Sequence, residues 1–243
     1  MFKKSKPLIE FVSTVEGLET IQECLPRPTK AFVPDWFKDI PNLANTVKAC
    51  PSFPDFFSQG FVLPMWADTT IKYDQTIDTW SADSKVLIGS NIKALDAHTN
   101  NQFIDFVKPY MQGKEGNFVF KAKCPWRIMT PPGYSVIQLP LFYHFNQEFS
   151  VLPGIMDTDI HSEINQQILY HGEGKSVEIP RGTPIAMYIP FKRTKYDLEV
   201  RYQTEEDRKL FLRKGLDIST KAIGAGVYRG WQRNRSKHYN KPL

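Results

Sequence analysis

The sequence predicts a mainly β protein, a barrel of short strands with an N-terminal arm and a C-terminal helix. Three observations lead there. Short apolar runs alternate with polar residues through much of the chain. Eighteen prolines fall where those runs end, the punctuation of short strands and tight loops. A sustained helical pattern occurs late, over Glu205 to Gly215.

The elements follow in order. Leu8 to Val12 alternates as a strand. Ser13 to Glu16 reads S-x-x-E, a capping box for a short helix through Cys24, stopped by Pro26 and Pro28. Val33 to Lys38 predicts a helical turn with proline in its first turn, with Trp36 and Phe37 as aromatic anchors for the arm. Phe61–Trp66, Thr69–Tyr73 and Thr76–Trp80 read as successive strands. Asn91 to Pro109 is irregular, and Asn117–Ala122 resumes the strand pattern. Trp126 to Phe191 holds several short runs divided by proline and glycine. Trp66, Trp80, Trp126 and Phe120 are expected to pack the barrel interior or a subunit contact. In the late helix Leu210 and Phe211 form an apolar seam, and Gly215 is the expected C-cap. The expected organisation is therefore 1–58, N-terminal arm and short helices; 59–195, β-barrel; 196–243, C-terminal helix and basic tail.

A chain of 243 residues that is 41% hydrophobic can bury a core, and that fraction excludes disorder. Mean hydropathy is −0.38. No run of 18 apolar residues escapes a charge or a proline, so no membrane span is expected. No apolar region follows the basic start Met1–Pro7, so no signal peptide is expected. Cys24, Cys50 and Cys124 are too widely spaced for a zinc ribbon or a redox pair, and reduced thiols in a cytoplasmic setting are expected.

The net charge of +5 is uneven. Residues 191–243 carry 14 Lys/Arg and 6 Asp/Glu, a local net of +8, and 221–243 carry six basic residues and no acidic one. Such a tail suits contact with nucleic acid or an acidic surface, or simple solvation.

The richest stretch is 126–193. Pro132-Gly133, Pro153-Gly154 and Pro180-Arg181-Gly182 predict sharp turns that each launch a strand. Asp157, Asp159, His161 and Glu163 form D-x-D-x-H-x-E, which on a strand sets all four on one face. A hard cation would take the carboxylates there, and aspartates at a barrel corner equally serve to hold backbone, so no metal site is assigned. Tyr143-His144-Phe145 and Tyr170-His171-Gly172 add scattered histidines. There is no G-x-S-x-G, H-E-x-x-H or P-loop.

Residues 126–193 resemble the dUTPase and dCTP deaminase superfamily, whose fold is the β-clip. The resemblance lies in Pro132-Gly133, in Gly154-Ile155-Met156-Asp157-Thr158-Asp159 and in Arg181-Gly182-Thr183-Pro184-Ile185-Ala186-Met187. It implies a β-clip-like barrel and a homo-oligomer, a trimer by family habit. It marks Asp157 as the candidate catalytic residue, positioning a water, and Gly154, Asp159 and Arg181 as candidate ligand-binding residues, to which the D-x-D-x-H-x-E pattern adds His161. The family's Tyr-x-Gly is replaced by Ile160-His161-Ser162. Its Arg-Ser-Gly phosphate motif has no counterpart in residues 139–147, and a triphosphate needs such charge-assisted donors. Gly224 to Gly230 is too degenerate to match the family's glycine-rich arm.

Over nearly its whole length the chain also resembles an uncharacterised family found in tailed phages of marine cyanobacteria and in some bacteria. That likeness is carried by Pro34-x-Trp36-Phe37-Lys38, Cys50-Pro51-Ser52-Phe53 with Gly60, Pro125-Trp126 and Gly154-x-x-Asp157-x-Asp159. It implies a viral setting and supplies no activity. The expected function is thus a non-enzymatic phage protein, a virion component or assembly accessory, using the barrel for self-association and needing no cofactor. The alternative is a diverged nucleotide hydrolase, deaminase or nucleotide-binding protein with Asp157 as base and Mg²⁺ on the phosphates. Expected partners are further copies and other virion or host proteins, with nucleic acid on the basic tail. The expected location is the host cytoplasm or the virion.

Overall fold

A computed structural model describes residues 8–43, 46–74, 79–85, 93–97, 119–171 and 176–220. The expectations for Thr76–Asp78, for most of Asn91–Pro109, for Asn117-Phe118 and for the basic tail from Lys221 lie outside them, as does the Trp80 side chain. The described chain is mainly β, in antiparallel sheets, with one long helix near its C-terminal end. It divides into two compact units, Met1–Phe32 with Gly60–Arg193, and Val33–Gln59 with Thr194–Leu243.

The first unit is the β body. One sheet is built on β7 (Val119–Met129), which buries Phe120, Ala122, Trp126 and Ile128. One edge of β7 pairs with β11 (Glu163–Tyr170), which in turn pairs with β9 (Phe149–Val151). The other edge takes β1 (Glu10–Ser13) and β6 (Leu95–Ala97). A second sheet runs in the order β10 (Gly154–Met156), β8 (Tyr134–Pro140), β13 (Pro184–Lys192), β3 (Phe61–Pro64) and β2 (Arg27–Pro28). A third sets β12 (Val177–Ile179) and β5 (Thr79–Lys85) on either side of β4 (Asp68–Asp74).

All three sheets feed one core. Phe120, Ile128 and Ile168 come from the first, Leu63 and Tyr188 from the second, and Ile71 from the third. Trp66, Trp126 and Phe120 are buried as expected, and the Trp66 indole donates to the Lys123 carbonyl at 2.9 Å. One polar link crosses the core. The Tyr188 hydroxyl donates to Gln138 Oε1 at 2.8 Å, and Gln138 Nε2 donates to the Leu152 carbonyl at 2.9 Å, so the buried amide is satisfied on both sides.

One expectation fails here. No capping box forms at Ser13, because its hydroxyl is occupied by the Val15 backbone, accepting from N–H at 3.1 Å. Ser13 ends β1. The chain then turns at Gly17 (φ +81°) into two 3-10 turns, Leu18–Thr20 and Gln22–Cys24, separated by an extended Ile21.

Among its described residues the second unit holds three α-helices and a 3-10 turn at Val47–Ala49. Pro34 caps α1 (Asp35–Asp39). Phe37 packs on α2 (Ser52–Phe57), with ring centroids 4.9 Å from Phe57 and 6.3 Å from Phe53. α3 spans Glu205–Thr220 and runs straight through Gly215, correcting the expected C-cap. An interior glycine costs a helix only about 1 kcal/mol, too little to end it. Its start is fixed by Thr204 and Asp207. Asp207 N–H donates to Thr204 Oγ1 at 3.1 Å, and Thr204 N–H donates to Asp207 Oδ2 at 2.9 Å. The expected apolar seam is only partly buried: Leu210 is half-buried and Phe211 is exposed.

Candidate functional site

The D-x-D segment lies where three strand ends meet. β10 pairs with β8 so that Met156 lies opposite Val136, which carries Asp157 toward Ser135. β13 pairs with β8 so that Lys192 lies opposite Tyr134, and Arg193 follows with its N–H donated to the Gly133 carbonyl at 2.8 Å. Gly133 makes the corner, at φ +80°, a backbone setting costly for other residues.

Arg193 joins these ends. Its Nη1 lies 3.1 Å from Asp157 Oδ1 and donates to Asp159 Oδ1 at 2.7 Å. Its Nη2 donates to Asp159 Oδ2 at 2.5 Å, closing a two-pronged pair. Gly133 N–H donates to the same Oδ2 at 2.7 Å. The Ser135 hydroxyl donates to Asp157 Oδ1 at 2.5 Å and accepts from Arg193 Nη1 at 3.0 Å. Beneath them, Thr130 and the buried Thr158 share a hydrogen bond of 2.8 Å.

The two carboxylates differ. The Asp159 side chain is 8% exposed and that of Asp157 is 50% exposed. Arg193 above all, helped by the Gly133 N–H, holds the Asp159 carboxyl down at about 2 against a burial effect that pushes it up. The same pairing raises Arg193.

The four D-x-D-x-H-x-E residues do not share a strand face. The chain leaves β10 at Met156 and turns, with the N–H groups of Ile160 and His161 both donating to the Asp157 carbonyl at 2.9 Å. It re-enters a sheet only at Glu163. That turn occupies the middle of the seven-residue run from Asp157 to Glu163, so no single strand can carry it. His161 is exposed at the end of the turn, and Glu163 pairs with Arg127 at 2.7 Å, which lowers its carboxyl. Among the described residues no three His, Cys, Asp or Glu side chains converge to hold a metal ion.

The other two site residues stand apart from the Arg193 cluster in their bonding. Gly154 pairs with Gln138 on β10. Arg181 sits in the turn before β13, bonded through its guanidinium to Glu23 at 2.9 Å and through its N–H to Asp68 at 2.9 Å. The segment aligned with the phosphate motif forms a 3-10 turn over Phe142–His144, followed by Phe145 at φ +51°. It borders a groove of about 520 Å³ whose walls include Leu141, Phe142, Phe149, Leu152 and Ile185, and every residue lining it is uncharged at neutral pH apart from the titratable His144. Ser135 and Arg193, which organise the corner, carry no sequence motif. The one clue was a basic residue closing the last strand, Lys192-Arg193.

By fold the chain is similar to three solved dUTPases. The native EIAV enzyme aligns with a TM-score of 0.31 and 13% identity, over 60% of this chain and 86% of that one. The dUTPase from phage phi11 of S. aureus gives 0.26 and 13%, over 37% and 73%. A mutant dUTPase of Staphylococcus bacteriophage 80alpha with dUpNHpp gives 0.27 and 12%, over 38% and 81%. No protein-family model and no curated protein matches the sequence. Among the described residues no helix is long and apolar enough to cross a membrane.

Proposed function

We propose that this chain is a non-enzymatic, self-associating component of a phage particle or of its assembly. One observation carries the reading. Arg193 and Ser135 engage the aspartate that would have to activate water, and Asp159 is committed to the same guanidinium and to the Gly133 backbone. A general base needs a lone pair aimed at substrate and a pKa near working pH. A carboxylate pair clamped by arginine at the end of three strands is suited to bracing a corner. The groove bordered by Phe142, Phe149, Leu152 and Ile185 fits the same reading, because a triphosphate needs charge-assisted donors and no lysine or arginine lines it. The phage setting rests on the whole-length resemblance, and with it the location in the host cytoplasm or the virion.

The test is turnover. Purified protein is incubated with each deoxynucleoside triphosphate and Mg²⁺, and pyrophosphate release and deamination are read beside an Asp157→Ala control. The expected result is neither product and no nucleotide-dependent rise in melting temperature. Turnover that disappears in D157A would make the chain a diverged nucleotide enzyme instead.

A further inference from the structure

Residues 195–203 form a surface that the second unit leaves open. They belong to no helix and no sheet, and read Lys-Tyr-Asp-Leu-Glu-Val-Arg-Tyr-Gln. The apolar residues occupy every second position: Tyr196 is 85% exposed, Leu198 90%, Val200 86% and Tyr202 87%. Between them stand Lys195, Asp197, Glu199, Arg201 and Gln203. This is the pattern of a strand with one apolar and one charged face, rich in aromatic and β-branched residues. A bare strand of this kind is a template for pairing with another chain.

Building on the self-associating reading above, we propose that this strand is the contact, and that its partner is the same strand of a second copy, antiparallel, with the two-fold axis at Val200. The charges favour that register over its two neighbours. With Val200 opposite its own copy, Leu198 faces Tyr202 and Tyr196 faces Thr204 on the apolar side. On the polar side Glu199 faces Arg201 and Asp197 faces Gln203, each twice by symmetry. Moving the axis to Leu198 sets Asp197 against Glu199 and Lys195 against Arg201. Moving it to Tyr202 sets Arg201 against Gln203 and leaves Glu199 with no partner in the strand. The first shift opposes like charges and the second loses the ion pair.

The strand is positioned for this. Arg201 bonds Asp207 within its own chain, which ties the strand's end to the first turn of α3. The guanidinium has five donors, enough to hold Asp207 and still meet a glutamate across the axis. Glu199 is 82% exposed. A lone two-stranded ribbon is marginal in water, and the exposed Phe211 and Leu212 on α3 of the same unit offer further apolar area to the pair.

The experiment is charge complementation, read by sedimentation of the full chain. Wild type is expected to be a dimer or an even multiple of one. E199R and R201E each place like charges across the axis, and each is expected to weaken association about tenfold. Mixed in equal amounts they are expected to recover it, because each variant then faces its complement. A second readout does not depend on how R201E folds. In a C50S background, V200C is expected to form a disulfide dimer under mild oxidation, while L198C is not. The proposal is overturned by a monomeric wild type, by a trimer, by single variants that associate normally, by a mixture that does not recover, or by L198C cross-linking as readily as V200C. Nucleotide turnover in the earlier assay would sink the non-enzymatic reading without touching these outcomes.

Discussion

Asp159 illustrates how one side chain can carry a motif's meaning in two different ways. As a sequence letter it belongs to a D-x-D that invites a cation or a water. In the folded chain it takes two bonds from Arg193 and one from Gly133 and is nearly buried. Its carboxyl sits at about 2 when folded and near the ordinary 3.9 when unfolded, so the pairing stabilises the fold above about pH 4 and is lost as pH falls toward 2. Asp159→Asn is therefore expected to lower the melting temperature by a few degrees at neutral pH, a gap that closes as the wild type is acidified. Melting curves from pH 7 to pH 2 check it, and a gap that persists at pH 2 would assign the effect to packing. The two aspartates were legible in the sequence because short-range spacing marks them. Arg193 was not, being 34 residues further along and brought in only by the β8–β13 register.

At the scale of elements, strands were read more surely than helices. The continuous apolar run Phe61–Pro64 and the alternation over Thr69–Lys72 both report burial, and strands formed there. The S-x-x-E at Ser13 failed because Ser13 ends a strand that β7 holds in place, and sheet pairing outweighs a weak local cap. The true box, Thr204 with Asp207, was present in the sequence as T-x-x-D and decides where α3 starts. Gly60 shows a different kind of constraint, set by an approach of two backbones. It sits at φ +64°, and a Cβ there would lie 2.2 Å from the Tyr188 carbonyl oxygen. Neither the dihedral nor the clash can be relieved by a side-chain rotation. Gly60→Ala is expected to cost more than about 3 kcal/mol, and urea unfolding measures it. A loss below about 1 kcal/mol would mean that β3 and β13 can separate at that point.

For the molecule as a whole, three sheets among the described residues enclose one core with an Arg193-braced corner, and the exposed stretch 196–202 is the proposed place where copies meet. The fold class was readable because proline spacing and alternation act locally. The site was not, because its chemistry depends on which loop ends the sheet register brings together. Asp159 and Arg193 form one bonded unit. A double-mutant cycle on stability probes that unit, comparing Asp159→Ala, Arg193→Ala and both together by urea unfolding at pH 7. The double variant is expected to be no less stable than the worse single, because each single already breaks the same clasp. Losses that simply add, or singles that melt like wild type, would contradict it and return the aspartates to the search for a ligand.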